Sequence, residues 1–191
     1  MAQEEVTVDR SALARVVDRF SRRWTSAAAD IDTYLGTQVA DDGHREVIGP
    51  LLSASGSSGV IRVGGLEVAS WGDPQTPEMA FSVTKSVVSV VAGLAFDDGL
   101  LIPDQPVHEV VDAAEFAGAH NNRITWRHLL QQSSQWQGEL WGKPTSADAQ
   151  SFREGTETHG TPPGEGWAYN DVRMNLLVYA LTLRLGHRCR M

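Results

Sequence analysis

Residues 82–96, SVTKSVVSVVAGLAF, constrain this chain more than any other stretch. A run this apolar and this long is too extended for an ordinary strand and too short to cross a membrane. Val83, Val87, Val90, Val91 and Leu94 recur at helical spacing, so the spacing predicts a helix with these side chains buried. Asp97-Asp98-Gly99 closes it, since glycine is favoured just past a helix end.

The other elements carry local signals. Residues 10–23 read as an amphipathic helix, with Leu13, Val16, Val17 and Phe20 at i, i+3, i+4, i+7. That helix is expected to continue through 24–35, and 36–59 reads as a loop. Two β-branched runs flank Gly64-Gly65, and a two-glycine turn predicts a hairpin. Residues 125–132 predict a short helix capped by Thr125. Residues 137–166 are rich in glycine and proline and predict loop. A last helix is expected over 171–185, with Asn170 or Asp171 as cap and Gly186 as stop.

The bulk numbers exclude several function classes. The 191 residues carry a formal net charge of -8 and a pI of about 5.2. Nucleic acid is not expected as a partner, because phosphate binding needs a basic face. No stretch reaches the length of a membrane span. The start, MAQEEVTVDR, has glutamates where a secretory leader has basic and then apolar residues. Cys189 is the single cysteine and forms no internal disulfide. A cytoplasmic location is the default expectation. The histidines lack metal-ligand spacing, so no metal is expected, and no nucleotide-binding glycine pattern calls for a cofactor. There is no Gly-x-Ser-x-Gly elbow of the α/β-hydrolases.

The chemistry concentrates in Phe81-Ser82-Val83-Thr84-Lys85. At a helix start, i and i+3 share a face, which sets the Ser82 hydroxyl beside the Lys85 ammonium. A serine becomes a nucleophile once a base takes its proton, and burial that lowers a lysine's pKa would make Lys85 such a base. Ser-x-x-Lys arises by chance about once in a chain of this length, so its weight comes from context. Lys85 is one of two lysines among 16 basic residues, and it lies within an apolar helix. A second element, Gly166-Trp167-Ala168-Tyr169-Asn170-Asp171, follows a Pro-Gly loop and precedes a helix.

Together these segments resemble the beta-lactamase-related serine hydrolases: AmpC-type beta-lactamases, D-alanyl-D-alanine carboxypeptidases, EstB-type esterases and 6-aminohexanoate-dimer hydrolases. The match is ordered over roughly residues 58–185. It runs through the hairpin, FSVTKS, DDGLLIPDQPV, ITWRHLLQQSSQW and PPGEGWAYND.

The resemblance implies an α+β, beta-lactamase/transpeptidase-like fold. Its parts would be an N-terminal helix and loop (1–59), a β-hairpin and loop leading to the nucleophile (60–81), a helical domain with both motifs (82–186) and a tail (187–191). It implies an acyl-enzyme on Ser82, with Lys85 as proton acceptor and Tyr169 as partner in proton transfer. The substrate would be a small-molecule ester or amide, with no cofactor. Asn170 and Asp171 would lie near substrate, and Trp136 and Trp141 fall in the segment that usually builds the cleft. His128 is expected to pack and hydrogen-bond rather than catalyse. The family's usual asparagine at the third position of the tyrosine motif is replaced by Asp171, which would disfavour a substrate carboxylate and leans towards an ester or linear amide.

The family's third motif, Lys-Thr-Gly or His-x-Gly on a later strand, has no counterpart in the sequence. The expectation is therefore a truncated fold without its C-terminal strands and helix, short of one oxyanion-hole donor. Such a loss costs about 10²–10³ in rate. The competing expectation is an inactive fragment or a binding module completed by a second chain.

Overall fold

The computed structural model describes residues 7–23, 56–147 and 161–186. The expected helical continuation over 24–35, most of the 36–59 loop, the middle of the 137–166 loop and the 187–191 tail lie outside the described residues. The chain forms two compact units, divided between Ala80 and Phe81, and the fold is α+β.

The first unit holds helix α1 (Arg10–Ser21) and the antiparallel strands β1 (Gly59–Val63) and β2 (Leu66–Trp71). Asp9 caps α1, its carboxylate accepting from the Ser11 and Ala12 N–H groups at 2.8 and 3.0 Å. Gly64 and Gly65 make the hairpin turn with φ of 58° and 83°. Both values are positive, as a turn matched to strand twist requires. A register irregularity between Ile61 and Arg62 bends β1. α1 packs on β2 through the Phe20 and Trp71 rings, 6.1 Å apart. Ser57 links the two, its hydroxyl donating to the Phe20 carbonyl and accepting from the Trp71 indole. The amphipathic pattern of α1 is only partly used: Leu13 and Val17 are half-buried, while Val16 and Phe20 are exposed.

The second unit is mostly helical. A single 3-10 turn, Phe81–Val83, leads into α2 (Thr84–Asp97). Gly99 takes the left-handed conformation past its end, and Leu100 N–H reaches back to the Ala95 carbonyl. α3 (Trp126–Leu130) is shorter than expected. A capping box starts it: the Thr125 hydroxyl accepts from His128 N–H while His128 Nδ1 accepts from Thr125 N–H. Gln132, with φ of 56°, turns the chain away after α3. Within the expected loop 137–166 a small hairpin forms, β3 (Glu139–Leu140) against β4 (Lys143–Pro144), turning at Trp141-Gly142. α4 (Asp171–Leu185) has Asn170 as N-cap, accepting from Arg173 N–H, and Gly186 at its end.

The core of this unit is Trp126, Trp136, Phe116, Ile124 and Leu129, closed by Leu176, Leu177 and Ala180 of α4 and by Ala92 and Ala95 of α2. Bidentate Arg127–Asp104 pairing, at 2.6 and 3.0 Å, ties α3 to the loop before it.

One expectation is overturned. α2 buries Ala92 and Ala95, not its valine stripe. Val83, Val87, Val90, Val91 and Leu94 are all exposed, Val90 at 62%. The helix meets the core through Ala92 and Ala95, with Val88 and Phe96 half-buried beside them, and the five residues of the stripe project outward. Among the described residues, no helix is long and apolar enough to cross a membrane.

Candidate active site

Ser82 sits in the 3-10 turn ahead of α2, not within the helix proper. Phe81 before it has a φ of 44°. A non-glycine residue there costs on the order of 1–3 kcal/mol and persists only where its surroundings impose it. Lys85, one turn on, donates from Nζ to Ser82 Oγ at 3.2 Å. The i, i+3 spacing thus does what the sequence predicts.

Tyr169 arrives from 87 residues away, its hydroxyl 2.7 Å from Ser82 Oγ, with either oxygen able to donate. Lys85 Nζ also lies 4.7 Å from the Tyr169 ring centroid, within cation–π range. Asp171, the first residue of α4, pairs with Lys85 through Oδ1 at 2.6 Å. An acidic side chain at this point also suits the positive end of the helix dipole. Four side chains therefore meet: Ser82 and Lys85 from the start of α2, Tyr169 and Asp171 from the start of α4.

The electrostatics of Lys85 depart from the sequence expectation. Burial alone would push its pKa down, but hydrogen bonds to Asp171 and Tyr169 and the Asp171 charge outweigh it, raising the pKa above the ordinary 10.5. The side chain is 24% exposed against 57% for Asp171, so the pair is partly desolvated. At neutral pH Lys85 is an ammonium. Its Nζ donates to Ser82 Oγ and pairs with the Asp171 carboxylate.

The other sequence candidates separate from this group. Asn170 is 2% exposed and its side chain is committed to structure, accepting from Arg173 N–H at 3.0 Å and donating to the Thr145 carbonyl at 2.9 Å. It caps α4. Trp136 is 1% exposed in the core, its indole donating to the Glu115 carbonyl at 2.7 Å. A side chain so enclosed has no surface to offer a ligand, which corrects its expected place in the cleft. Trp141 is exposed and meets Tyr179 edge-on at 5.8 Å. His128 is the capping and packing residue expected of it. Among the described residues, no group of three His, Cys, Asp or Glu could hold a metal ion.

Sequence reasoning missed the buried polar segment 132–135 that holds the tyrosine loop. Gln132, Ser133, Ser134 and Gln135 are all buried. The available signal was an unbroken polar run directly after the apolar α3. Gln132 O accepts from Ala168 N–H and its Oε1 from Asn170 N–H. Ser133 O accepts from Gly164 N–H, and Gln135 Nε2 donates to Gly166 O.

The family model described as Beta-lactamase matches residues 44–187, well over half of the chain. No curated protein and no solved structure matches it. The matched segment contains Ser82, Lys85, Tyr169 and Asp171, and on that match the chain belongs to the beta-lactamase family.

Proposed function

We propose that this protein is a serine hydrolase that forms an acyl-enzyme on a small carboxylic ester or linear amide, with Ser82 as nucleophile. The observation that carries this reading is the contact of Ser82 Oγ with Tyr169 Oη at 2.7 Å and with Lys85 Nζ at 3.2 Å. The first is a distance suited to proton transfer, and the second lets the Lys85 ammonium donate to the serine oxygen. Ser82 Oγ attacks the carbonyl carbon while its proton moves to Tyr169 Oη and the Tyr169 hydroxyl proton moves on to the leaving oxygen or nitrogen. The bond from the carbonyl carbon to the leaving group thereby breaks, the alcohol or amine departs neutral, and Tyr169 ends as it began. The Lys85 ammonium stabilises negative charge on the serine and tyrosine oxygens through this exchange. Water then cleaves the ester to Ser82 and restores the hydroxyl. Asp171 adds a carboxylate beside the nucleophile, which disfavours substrates with their own carboxylate near the scissile bond. The substrate class that follows is a neutral ester or amide rather than a beta-lactam.

The test is acylation with a fluorophosphonate probe and, in parallel, a penicillin-type probe, with peptide mapping of the label. The fluorophosphonate is expected to label Ser82, the penicillin to react more slowly, and Ser82→Ala to abolish both signals. A folded chain that takes no label at Ser82 would sink the proposal.

A second reading is favoured by one observation, the exposed stripe Val83, Val87, Val90, Val91 and Leu94 on α2. Monomeric proteins seldom leave a continuous apolar face uncovered. On this reading the chain is a binding module completed by a second chain, and the acylation experiment separates the two.

A further inference from the structure

We propose that Gln132 is the positioning residue for Tyr169, gripping the backbone on both sides of the tyrosine; this rests on the reading of Ser82 and Tyr169 as reacting partners. Its main-chain carbonyl accepts from Ala168 N–H at 3.1 Å and its side-chain Oε1 accepts from Asn170 N–H at 2.8 Å. One residue thus satisfies the N–H groups immediately before and after Tyr169, as a neighbouring strand would. The residue between is left with its side chain directed by a fixed backbone.

Three features make this more than incidental packing. Gln132 is 8% exposed, so its carboxamide works without competing water. It adopts a φ of 56°, a left-handed conformation that a glutamine holds only when its surroundings demand it. That backbone geometry is what turns both its oxygens towards the tyrosine loop. Gln135, with φ of 47°, does the same job one step out. Its Nε2 donates to Gly166 O at 2.8 Å and its Oε1 accepts from Arg173 Nη1 at 3.3 Å, joining the loop before Tyr169 to the first turn of α4. The grip of Gln132 is on the backbone flanking Tyr169, so it acts on Ser82 through Tyr169.

Two measurements test the proposal. The first is the rate of fluorophosphonate labelling of Ser82 against pH. Gln132→Met keeps length and flexibility but loses the acceptor oxygen, and it is expected to slow labelling about 10- to 100-fold, the scale of a displacement near 1 Å, with a changed pH profile. Gln132→Glu keeps an oxygen in place and is expected to restore most of the rate. Should the Met variant not fold, Gln132→Asn, whose carboxamide is one methylene too short, takes its place. The second measurement needs no activity. With fluorotyrosine incorporated at the three tyrosines, the Tyr169 resonance, assigned by Tyr169→Phe, is expected to move in Gln132→Met and to stay in Gln132→Glu. A folded Met variant that keeps the wild-type rate, pH profile and Tyr169 resonance would overturn the proposal. A wild-type chain that takes no label would overturn the hydrolase reading, and the resonance would still decide whether Gln132 positions the tyrosine.

Discussion

The two helices that supply the site are built in opposite ways. α2 is the more apolar in sequence, yet it buries only Ala92 and Ala95. α4 is interrupted by Asp171, Arg173, Asn175 and Arg184, yet it buries Val172, Met174, Leu176, Leu177, Ala180 and Leu181. Burial follows the partners a face meets, not the mean apolarity of the helix. The consequence for the site is a division of labour. α4 and the loop before it are anchored by core packing and by the buried 132–135 segment, so Tyr169 and Asp171 rest on a fixed base. Ser82 and Lys85 stand at the start of a helix whose outer face is open.

The largest expected effect tests that contrast directly. Leu177 is fully buried, and Leu177→Ala is expected to cost about 2–5 kcal/mol through lost burial and a residual cavity. Val90→Ala, at a position 62% exposed, is expected to stay within about 0.5 kcal/mol. Denaturant unfolding of the two variants measures both. Equal losses would break the comparison, because they would mean that the valine face of α2 is covered in solution.

What was legible in the sequence was local. The Gly64-Gly65 turn, the Thr125 and Asn170 caps and the Gly99 and Gly186 stops are written in residues that sit within a few positions of the structure they make. The stripe on α2 was also legible as a stripe, because helical spacing puts positions 83, 87, 90, 91 and 94 on one side. Which way that side faces was not, since it depends on elements distant in sequence. The site divides in the same way. Ser82 and Lys85 are i, i+3 neighbours and follow from spacing alone. Tyr169 came from the family resemblance, and its meeting with Ser82 spans 87 residues. The Lys85–Asp171 pair reversed the expected direction of the lysine pKa, because a carboxylate from another helix outweighs burial. The role of Gln132 rests on a left-handed backbone that no pattern of residue types announces.

A smaller effect sharpens the comparison where the two helices touch. Asp171→Asn removes the carboxylate that helps hold Lys85 above its ordinary pKa, leaving Tyr169 alone against the downward push of burial. The Lys85 pKa is therefore expected to fall. With only two lysines in the chain, carbon resonances next to Nζ can follow it, using Lys143→Arg for assignment. The raised folded pKa also fixes the sign for stability. The contribution of the pair is fully present below about 10.5 and is lost as pH rises through the higher folded value. Because Asp171 is more than half exposed, that contribution is expected not to exceed about 1 kcal/mol. A Lys85 titration that does not move in Asp171→Asn would detach α4 from the electrostatics of α2.

The smallest effect belongs to α3, the short helix whose end feeds the 132–135 segment. Burial pushes the His128 pKa below the ordinary 6.5; Asp104 and a hydrogen bond to the Arg123 backbone pull it up, while the Arg127 charge and, more weakly, the Arg123 charge oppose protonation. The neutral ring is the form the fold uses, since Nδ1 accepts from Thr125 N–H in the capping box. A depressed folded pKa means that the unfolded chain binds the proton more readily. Stability from this group is therefore present above about 6.5 and is lost as pH falls through the lower folded value. His128→Gln provides the control, because glutamine at this position can still accept from the cap N–H but does not titrate. The difference in unfolding free energy between wild type and variant is expected to change across that window, with the wild type losing ground on the acid side. Parallel stability curves for the two proteins would mean that the ring is not held neutral, and that the anchor beneath the tyrosine loop does not depend on its protonation.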